Sequence, residues 1–141
     1  MIAITGAGGF VGSWVVQELE MRGAEYVAFS RKCSAENTKF QTLDIRNSFD
    51  DLYEKMGQPE SLIHLAWGGL PNYNSEHHLE QEFPAQKEFL ASAVRSGINT
   101  IIVAGTCFEY GMQSGKLSED ACLLPANPYA KAKVQLLNSL L

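Results

Sequence analysis

Two residues near the end of the chain, Tyr129 and Lys133, have the types and the spacing that proton transfer needs. Residues four apart on a helix share one face, with Cβ atoms about 6 Å apart. A free tyrosine has a pKa of about 10 and is a poor base at neutral pH, but a nearby ammonium favours the phenolate. The spacing therefore predicts a tyrosine whose acid/base chemistry is assisted by a lysine.

The same segment also has the features of an ordinary helix start. Asn127 is a favoured N-cap residue, and Pro128 suits the first helical position. On these features alone, Tyr129 and Lys133 are surface residues of an amphipathic helix. The segment by itself leaves both interpretations open.

A second candidate site lies near the start of the chain, in the sequence TGAGGFVG at 5–12. Gly6, Gly9 and Gly12 separate an apolar run at 2–5 from a segment with apolar residues at helical spacing. Glycine permits positive φ and close approach to a pyrophosphate, and a helix N-terminus offers N–H groups to the anion. In this strand-turn-helix context, the glycines predict a dinucleotide-binding turn rather than a purely structural one.

The residues after the second apolar run, at 26–29, bear on the choice of cofactor. An NAD-binding unit usually has an acidic residue here for the adenosine ribose. This chain has Ser30, Arg31 and Lys32, a hydroxyl followed by two cations, which suit a 2′-phosphate. We therefore predict NADP as the cofactor, with NAD as the alternative. The competing interpretation is that Arg31 and Lys32 are a solvated pair at a strand end without a role in binding.

Strand-like and helix-like patterns alternate along the rest of the chain. Three further apolar runs predict strands, at 40–43, 61–66 and 99–105. The last two are continuous, which predicts burial on both faces. A helix capped by Asn47 or Ser48, and another that Pro84 starts or kinks, are predicted between them. The alternation predicts one α/β domain over residues 1–141, a doubly wound parallel sheet with helices on both faces.

Composition and charge narrow the class of protein. The 141 residues are 45% hydrophobic and 19% charged, as in ordinary globular proteins, and the net charge of −5 gives no footprint for nucleic acid or an anionic membrane. The three cysteines lack metal-binding spacing, and neither a signal peptide nor a membrane-spanning run is evident. We predict a cytoplasmic protein that binds no metal, nucleic acid or membrane.

Five motifs in register resemble the extended short-chain dehydrogenases/reductases, the NAD(P)-dependent nucleotide-sugar epimerase/dehydratase family. They are TGAGGFVG at 5–12, LDIRN at 43–47, LIHLAW at 62–67, GTCFEYG at 105–111 and NPYAKAK at 127–133. The resemblance covers residues 2 to about 133. It implies a Rossmann-like fold, a nucleotide-sugar substrate, and hydride transfer between a sugar carbon and a nicotinamide.

The resemblance also implies roles for single residues. Thr106 would hydrogen-bond the reacting sugar oxygen, Tyr129 would transfer its proton, and Lys133 would also bind the nicotinamide ribose. Asp44 resembles the carboxylate that accepts a hydrogen bond from the adenine amino group, with a plain helix cap as the alternative. His64 is expected to be a core histidine. The other residues predicted to bind the cofactor are Gly6, Gly9, Phe10, Val11, Gly12, Ser30, Arg31, Ile45, Leu65 and Ala66.

Departures from the family pattern narrow the activity. Family 4,6-dehydratases have an Asp-Glu pair after the catalytic threonine, but here Cys107 and Phe108 follow it, which predicts an epimerase or ketoreductase. Glu82 lies near a position where many relatives have asparagine. The irregular segment 67–78 is a candidate substrate loop, in which Trp67 could pack on substrate or in the core.

In the family, a further stretch of similar length follows the helix of the tyrosine and grips the sugar nucleotide. We therefore predict that this chain is the cofactor-binding half of a longer architecture. The competing hypothesis is an NADP-binding module, or a truncated fragment, without turnover. An exposed strand edge and the apolar run after Lys133 predict self-association as a homo-oligomer. That run contains Leu136, Leu137, Leu140 and Leu141.

Overall fold

A computed structural model describes residues 1–31, 40–47 and 50–141. The described chain forms two compact units. The first, here named the sheet unit, comprises Met1–Ala66 and Phe89–Ala104. The second, the helical unit, comprises Trp67–Glu88 and Gly105–Leu141.

Within the described residues, the sheet unit contains five parallel strands in the order β3-β2-β1-β4-β5. The strands are β1 (Ile2–Thr5), β2 (Tyr26–Ser30), β3 (Phe40–Thr42), β4 (Ser61–His64) and β5 (Thr100–Val103). The chain adds strands outward on one side of β1 and then returns to the other side. This parallel order, which reverses at β1, is the Rossmann-like arrangement predicted from the sequence.

The core of the sheet unit is built around β1 and the first helix, α1 (Phe10–Met21). Ile4 and Ala28 are completely buried on adjacent strands, and Val16 of α1 packs against them. The position of Gly23, after the helical segment and before the apolar run at 26–29, predicts a helix C-terminal glycine, and the helix ends there with a left-handed φ of +63°. Because β1 is central and α1 packs on it, the turn between them is fixed at both ends.

Two details of the sheet unit differ from the sequence prediction. Strand β5 is not buried on both faces: it is the edge strand of the described sheet, and Ile102 is 56% exposed. A continuous apolar run indicates that burial of both faces of the strand is favoured. It does not indicate which element of the protein covers each face. The second helix, α2 (Leu52–Lys55), begins after Asp51 rather than at Asn47, and the alternative cap Ser48 lies outside the described residues.

The helical unit is organised around α4 (Pro128–Leu140). Asn127 caps this helix, because its side-chain oxygen accepts a hydrogen bond from the Ala130 N–H at 2.8 Å, as predicted. A π-helical turn, His78–Glu82, and a 3₁₀ helix, Cys107–Tyr110, both pack on α4.

The π-helical turn continues directly into α3 (Phe83–Arg95). Pro84 lies at the junction where α3 begins, so it follows the π-helical turn within one continuous helical segment.

The apolar run at the end of α4 divides between core and surface. Leu136 is 2% exposed, so its predicted place on an exposed apolar patch is wrong, whereas Leu137, Leu140 and Leu141 are exposed. Association through these residues stays a prediction. Among the described residues, no helix has both the length and the apolar character that crossing a membrane requires.

Candidate functional site

The glycine turn after β1 lies against Leu65 and Ala66, which follow β4. Gly6 has a φ of +72°, and a Cβ added to it would lie 2.6 Å from the backbone nitrogen of Ala66 and 2.7 Å from the carbonyl carbon of Leu65. A Cβ on Gly12 would overlap the carbonyl oxygen of Gly6 and lie 2.7 Å from the Cα of Ala7. The turn is therefore packed backbone against backbone, which only glycine permits.

The first turn of α1 is open to an anion. Gly9 occupies the N-cap position and provides no side-chain hydrogen bond to the helix. Phe10 and Val11, the first two helical residues, are 84% and 56% exposed. A phosphate can therefore accept hydrogen bonds from the free backbone N–H groups at this helix start, as in dinucleotide-binding turns.

Ser30 lies beside this turn, at the end of β2. A Cβ on Gly8 would lie 3.0 Å from the Ser30 hydroxyl oxygen, so the hydroxyl borders the glycine loop. Arg31 is exposed directly after the strand, and the predicted second cation, Lys32, lies outside the described residues. The structure thus places one hydroxyl and one cation where the sequence predicts a 2′-phosphate contact.

Asp44 forms an ion pair with Arg46, which favours the charged form of the carboxylate. The guanidinium donates at 2.9 Å to one carboxylate oxygen and at 2.5 Å to the other. These hydrogen bonds lower the pKa of Asp44 to about 2, although partial burial opposes them. The alternative that Asp44 caps a helix is wrong, because α2 begins at Leu52. Ile45, the next predicted cofactor residue, is buried.

His64 has a core position, as the sequence predicts. It is 2% exposed, its Nδ1 lies 2.6 Å from the Thr5 hydroxyl, and its ring stacks on Phe89 at 5.1 Å between centroids. The histidine therefore connects β4 to β1 through Thr5 and to α3 through Phe89.

In the helical unit, Tyr129 is enclosed rather than solvated. Only 8% of it is exposed, and its backbone N–H donates to the carbonyl of Tyr73 at 3.2 Å. Four rings surround the tyrosine ring, with centroid distances of 5.6 Å to Trp67, 5.5 Å to Tyr73, 5.3 Å to His78 and 6.4 Å to Phe108. The interpretation of Tyr129 as a surface residue of the helix is therefore wrong.

Thr106 is hydrogen-bonded to the side chain of Tyr129. Its hydroxyl oxygen accepts the N–H of Phe108 at 3.3 Å, while its own N–H donates to the Glu109 carboxylate at 2.8 Å. This reciprocal capping box fixes the threonine at the start of the 3₁₀ helix. The Thr106 hydroxyl can donate its proton to the tyrosine oxygen while it accepts from Phe108, and this hydrogen bond would stabilise a phenolate.

The electrostatics of Tyr129 and Lys133 differ from the sequence expectation. Burial raises the pKa of Tyr129 above its usual value, and the Thr106 hydrogen bond only partly opposes this. The Lys133 nitrogen lies 6.0 Å from the centroid of the tyrosine ring but 4.0 Å from that of Trp67. The ammonium of Lys133 therefore lies closer to the indole ring than to the tyrosine ring.

Lys133 itself is 7% exposed, and burial lowers its pKa to about 8. Two buried carboxylates, Glu109 and Glu82, oppose this shift. The side chain therefore exchanges its proton close to neutral pH, a property that suits a group taking part in proton transfer.

We expect Lys133→Met to stabilise the folded protein by roughly 2 kcal/mol at pH 7, because a lysine pKa held near 8 makes the charged form costly to bury. From pH about 8 to 10.5 the unfolded chain binds more protons than the folded one, so the stability of the parent protein rises and the difference closes. Denaturant unfolding at pH 7 and pH 10 measures both effects. Lys131→Met, at an exposed position of the same helix, is the matched control and should change stability little.

The helical unit also buries four polar side chains that the sequence interpretation did not assign to the site. They are His78, Glu82, Gln86 and Glu109. One of them had a sequence signal: Glu109 lies three residues after Thr106, the spacing of a capping box. The other three recur every fourth residue along one helical face, but that pattern does not distinguish a buried polar face from a solvated one.

The parallel sheet, its reversal at β1 and the glycine turn between β1 and α1 define a dinucleotide-binding protein of the Rossmann type. Residues 2–140 match the NAD dependent epimerase/dehydratase family. The chain belongs to that family.

Individual relatives agree with this membership. The chain is 30% identical over 140 residues to the dTDP-6-deoxy-L-talose 4-dehydrogenase (NAD(+)) of Aggregatibacter actinomycetemcomitans, covering 94% of this chain and 51% of the relative. Its structure is similar to that of MoeE5 in complex with UDP-glucuronic acid and NAD, with a TM-score of 0.77 and 26% identity over 98% of this chain and 47% of the other. The chain spans about half the length of the relatives it matches.

The UDP-glucuronic acid 4-epimerase of Bacillus cereus, solved with NAD, has the same fold. Its TM-score is 0.77 at 23% identity, over 99% of this chain and 50% of the epimerase. At this identity the similarity is evidence for the fold alone.

Proposed function

We propose that the protein is an NAD(P)-dependent oxidoreductase or epimerase that acts on a nucleotide-activated sugar, with Tyr129 as the proton-transfer group. The observation that carries this proposal is the hydrogen bond between Thr106 and an enclosed Tyr129, in a chain of the epimerase family. In this proposal, residues 1–141 form the NAD(P)-binding part of a longer enzyme.

The chemistry follows from the proposed roles. A bound nicotinamide supplies a hydride acceptor. Thr106 hydrogen-bonds the reacting hydroxyl of the sugar, and Tyr129 removes its proton as the carbonyl forms. Tyr129 is neutral before reaction because burial raises its pKa, so its proton must pass to solvent water before the phenolate can accept the proton of the sugar hydroxyl. In the reverse direction, the neutral phenol is the acid and returns the proton to the carbonyl oxygen.

Two groups stabilise the negative charge that Tyr129 carries when it acts as a base. The Thr106 hydroxyl stabilises the phenolate directly. Lys133, which would also bind the nicotinamide ribose in this proposal, lies 6.0 Å from the centroid of the Tyr129 ring and would add a positive charge near the phenolate. Both effects lower the cost of ionising an enclosed phenol.

The direct test is an assay of the full-length protein against UDP- and dTDP-hexoses with each cofactor. Absorbance at 340 nm detects net oxidation or reduction, and proton NMR of the sugar detects an epimer formed without net change in the cofactor. Turnover of at least one nucleotide sugar is the expected result. Cofactor binding without turnover of any of them would favour a cofactor-binding module.

We further propose that NADP is preferred over NAD. The support is the Ser30 hydroxyl beside the glycine loop and the exposed Arg31 after β2, with no carboxylate at the end of that strand. A charge-assisted contact to a phosphate contributes about 1.5–3 kcal/mol. The 4-dehydrogenase relative carries NAD(+) in its name, so this preference would set the present chain apart from it.

A fluorescence titration with NADPH and NADH measures the preference. We expect NADPH to bind roughly ten times more tightly or better, and Arg31→Gln to weaken NADPH selectively. Arg22→Gln is the matched control, because Arg22 is an exposed arginine of the same unit that pairs with Glu18. Equal affinities of the unchanged protein for the two cofactors would refute the proposed preference.

A further inference from the structure

Trp67 holds a position beside Lys133 that the proposed mechanism does not use. The Lys133 nitrogen lies 4.0 Å from the centroid of the indole ring. This is within the range of a cation–π contact, which is strongest with tryptophan and gains strength when the charge is removed from water. Lys133 is almost completely buried, so the contact is desolvated.

The indole is itself fixed by a buried histidine. The Trp67 N–H donates to Nδ1 of His78 at 3.1 Å, and Nε2 of His78 donates to the carbonyl of Asn72 at 2.8 Å. This pair of partners requires the neutral tautomer with its proton on Nε2, because only that form accepts from the indole. His78 is completely buried, so water does not compete for either hydrogen bond.

The segment that carries Trp67 is tied down at further points. The N–H of Gly68 donates to the buried Glu82 carboxylate at 2.9 Å, and the Tyr73 carbonyl accepts the N–H of Tyr129. A Cβ on Gly68 would overlap the Glu82 carboxylate, so this glycine lies directly against it. The segment is therefore anchored near α4 at Trp67, Gly68 and Tyr73, while residues 69–74 between these points and His78 are exposed.

The geometry points to Trp67 as a positioning residue for Lys133: its indole, oriented by His78, holds the lysine ammonium in place beside the proton-transfer site. The importance of this contact rests on the proposed function, in which Lys133 takes part in the reaction. Among the described groups, Trp67 and Tyr129 lie near the ammonium, and the charges of Glu82 in the π-helical turn and Glu109 in the 3₁₀ helix favour its protonated form. The carboxylates balance its charge, while the indole supplies the surface on which it lies.

A ¹⁹F NMR experiment on full-length protein labelled with 5-fluorotryptophan tests the contact without requiring turnover. We expect the Trp67 resonance, assigned with Trp67→Phe, to titrate with an inflection near pH 8 as Lys133 loses its proton. Lys133→Met should abolish this inflection, whereas Lys131→Met should leave it unchanged. A Trp67 resonance that does not respond to Lys133→Met would overturn the inference.

Two variants of His78 test the orienting role. His78→Asn keeps an acceptor for the indole N–H and should preserve the lysine-dependent inflection, while His78→Phe keeps only a ring and should remove or displace it. Identical spectra for the two variants would refute the role of His78. If His78→Phe does not fold, His78→Asn is compared with the parent protein alone. Loss of the lysine-dependent inflection in His78→Asn would then count against the orienting role of His78.

A kinetic measurement connects the contact to the reaction. In Trp67→Leu the charged lysine loses its aromatic partner, so the alkaline limb of the pH profile of kcat/KM should move down by about one pH unit. An unmoved limb, together with an intact ¹⁹F response in the parent protein, would mean that the contact exists but does not position the lysine for catalysis. A protein without turnover, but with the ¹⁹F response, would refute the proposed function and leave the contact standing.

Discussion

Tyr129→Phe should reduce turnover by a factor on the order of 10² to 10⁴, while leaving the affinity for the cofactor close to that of the parent protein. The substitution removes the single oxygen that receives the Thr106 hydrogen bond, and it keeps the ring that packs among Trp67, Tyr73, His78 and Phe108. Acid/base chemistry is therefore lost without a cavity. Single-turnover kinetics with the nucleotide sugar and a separate cofactor titration give the two quantities.

A matched control separates proton transfer from a general loss of stability. Tyr53→Phe makes the same chemical change on α2 in the sheet unit and should affect neither turnover nor cofactor affinity. Tyr129→Phe also leaves the Thr106 hydroxyl without its tyrosine partner, at a cost of roughly 1 kcal/mol, which unfolding experiments will show. Turnover of Tyr129→Phe within a factor of about ten of the parent would remove Tyr129 from the mechanism.

The parts of the fold that local sequence determines were predicted well. The run Ile2–Thr5, the glycines that follow and the left-handed Gly23 each specify their conformation within a few residues, and all three lie as predicted. The start of α2 and the exposed face of β5 were not predicted. Helix starts with several candidate caps are ambiguous, and an apolar strand does not reveal what covers it.

In the candidate site, the sequence predicted the positions of the residues but not the shift of the tyrosine pKa. The spacing of Tyr129 and Lys133 correctly places both residues on one helix, α4. The direction of the tyrosine pKa was wrong because it depends on burial, and the rings that surround Tyr129 include Trp67 and His78 from distant parts of the sequence. Desolvation is a property of the packed structure, and a motif of five residues does not contain it.

Gly12→Ala should have the second large effect, a loss of affinity for the cofactor rather than a loss of proton transfer. The new Cβ would overlap the carbonyl oxygen of Gly6 and approach the Cα of Ala7 to 2.7 Å, and neither backbone group can rotate away. Overpacking of this kind costs about 3 kcal/mol. The relief available to the chain is to move the first turn of α1 away from β1, which displaces the N–H groups that would bind the pyrophosphate.

Gly23→Ala provides the comparison that identifies the cause. Gly23 has a φ of +63° but no atom within 4 Å of an added Cβ, so this substitution incurs only the left-handed backbone strain, roughly 1 kcal/mol. We expect Gly12→Ala to unfold at clearly lower denaturant concentration than Gly23→Ala and to bind the cofactor at least ten times more weakly, while Gly23→Ala binds it normally. Similar cofactor affinities for the two variants would mean that close packing of the turn is not what creates the binding site, because both substitutions add the same methyl group and only one of them meets the turn.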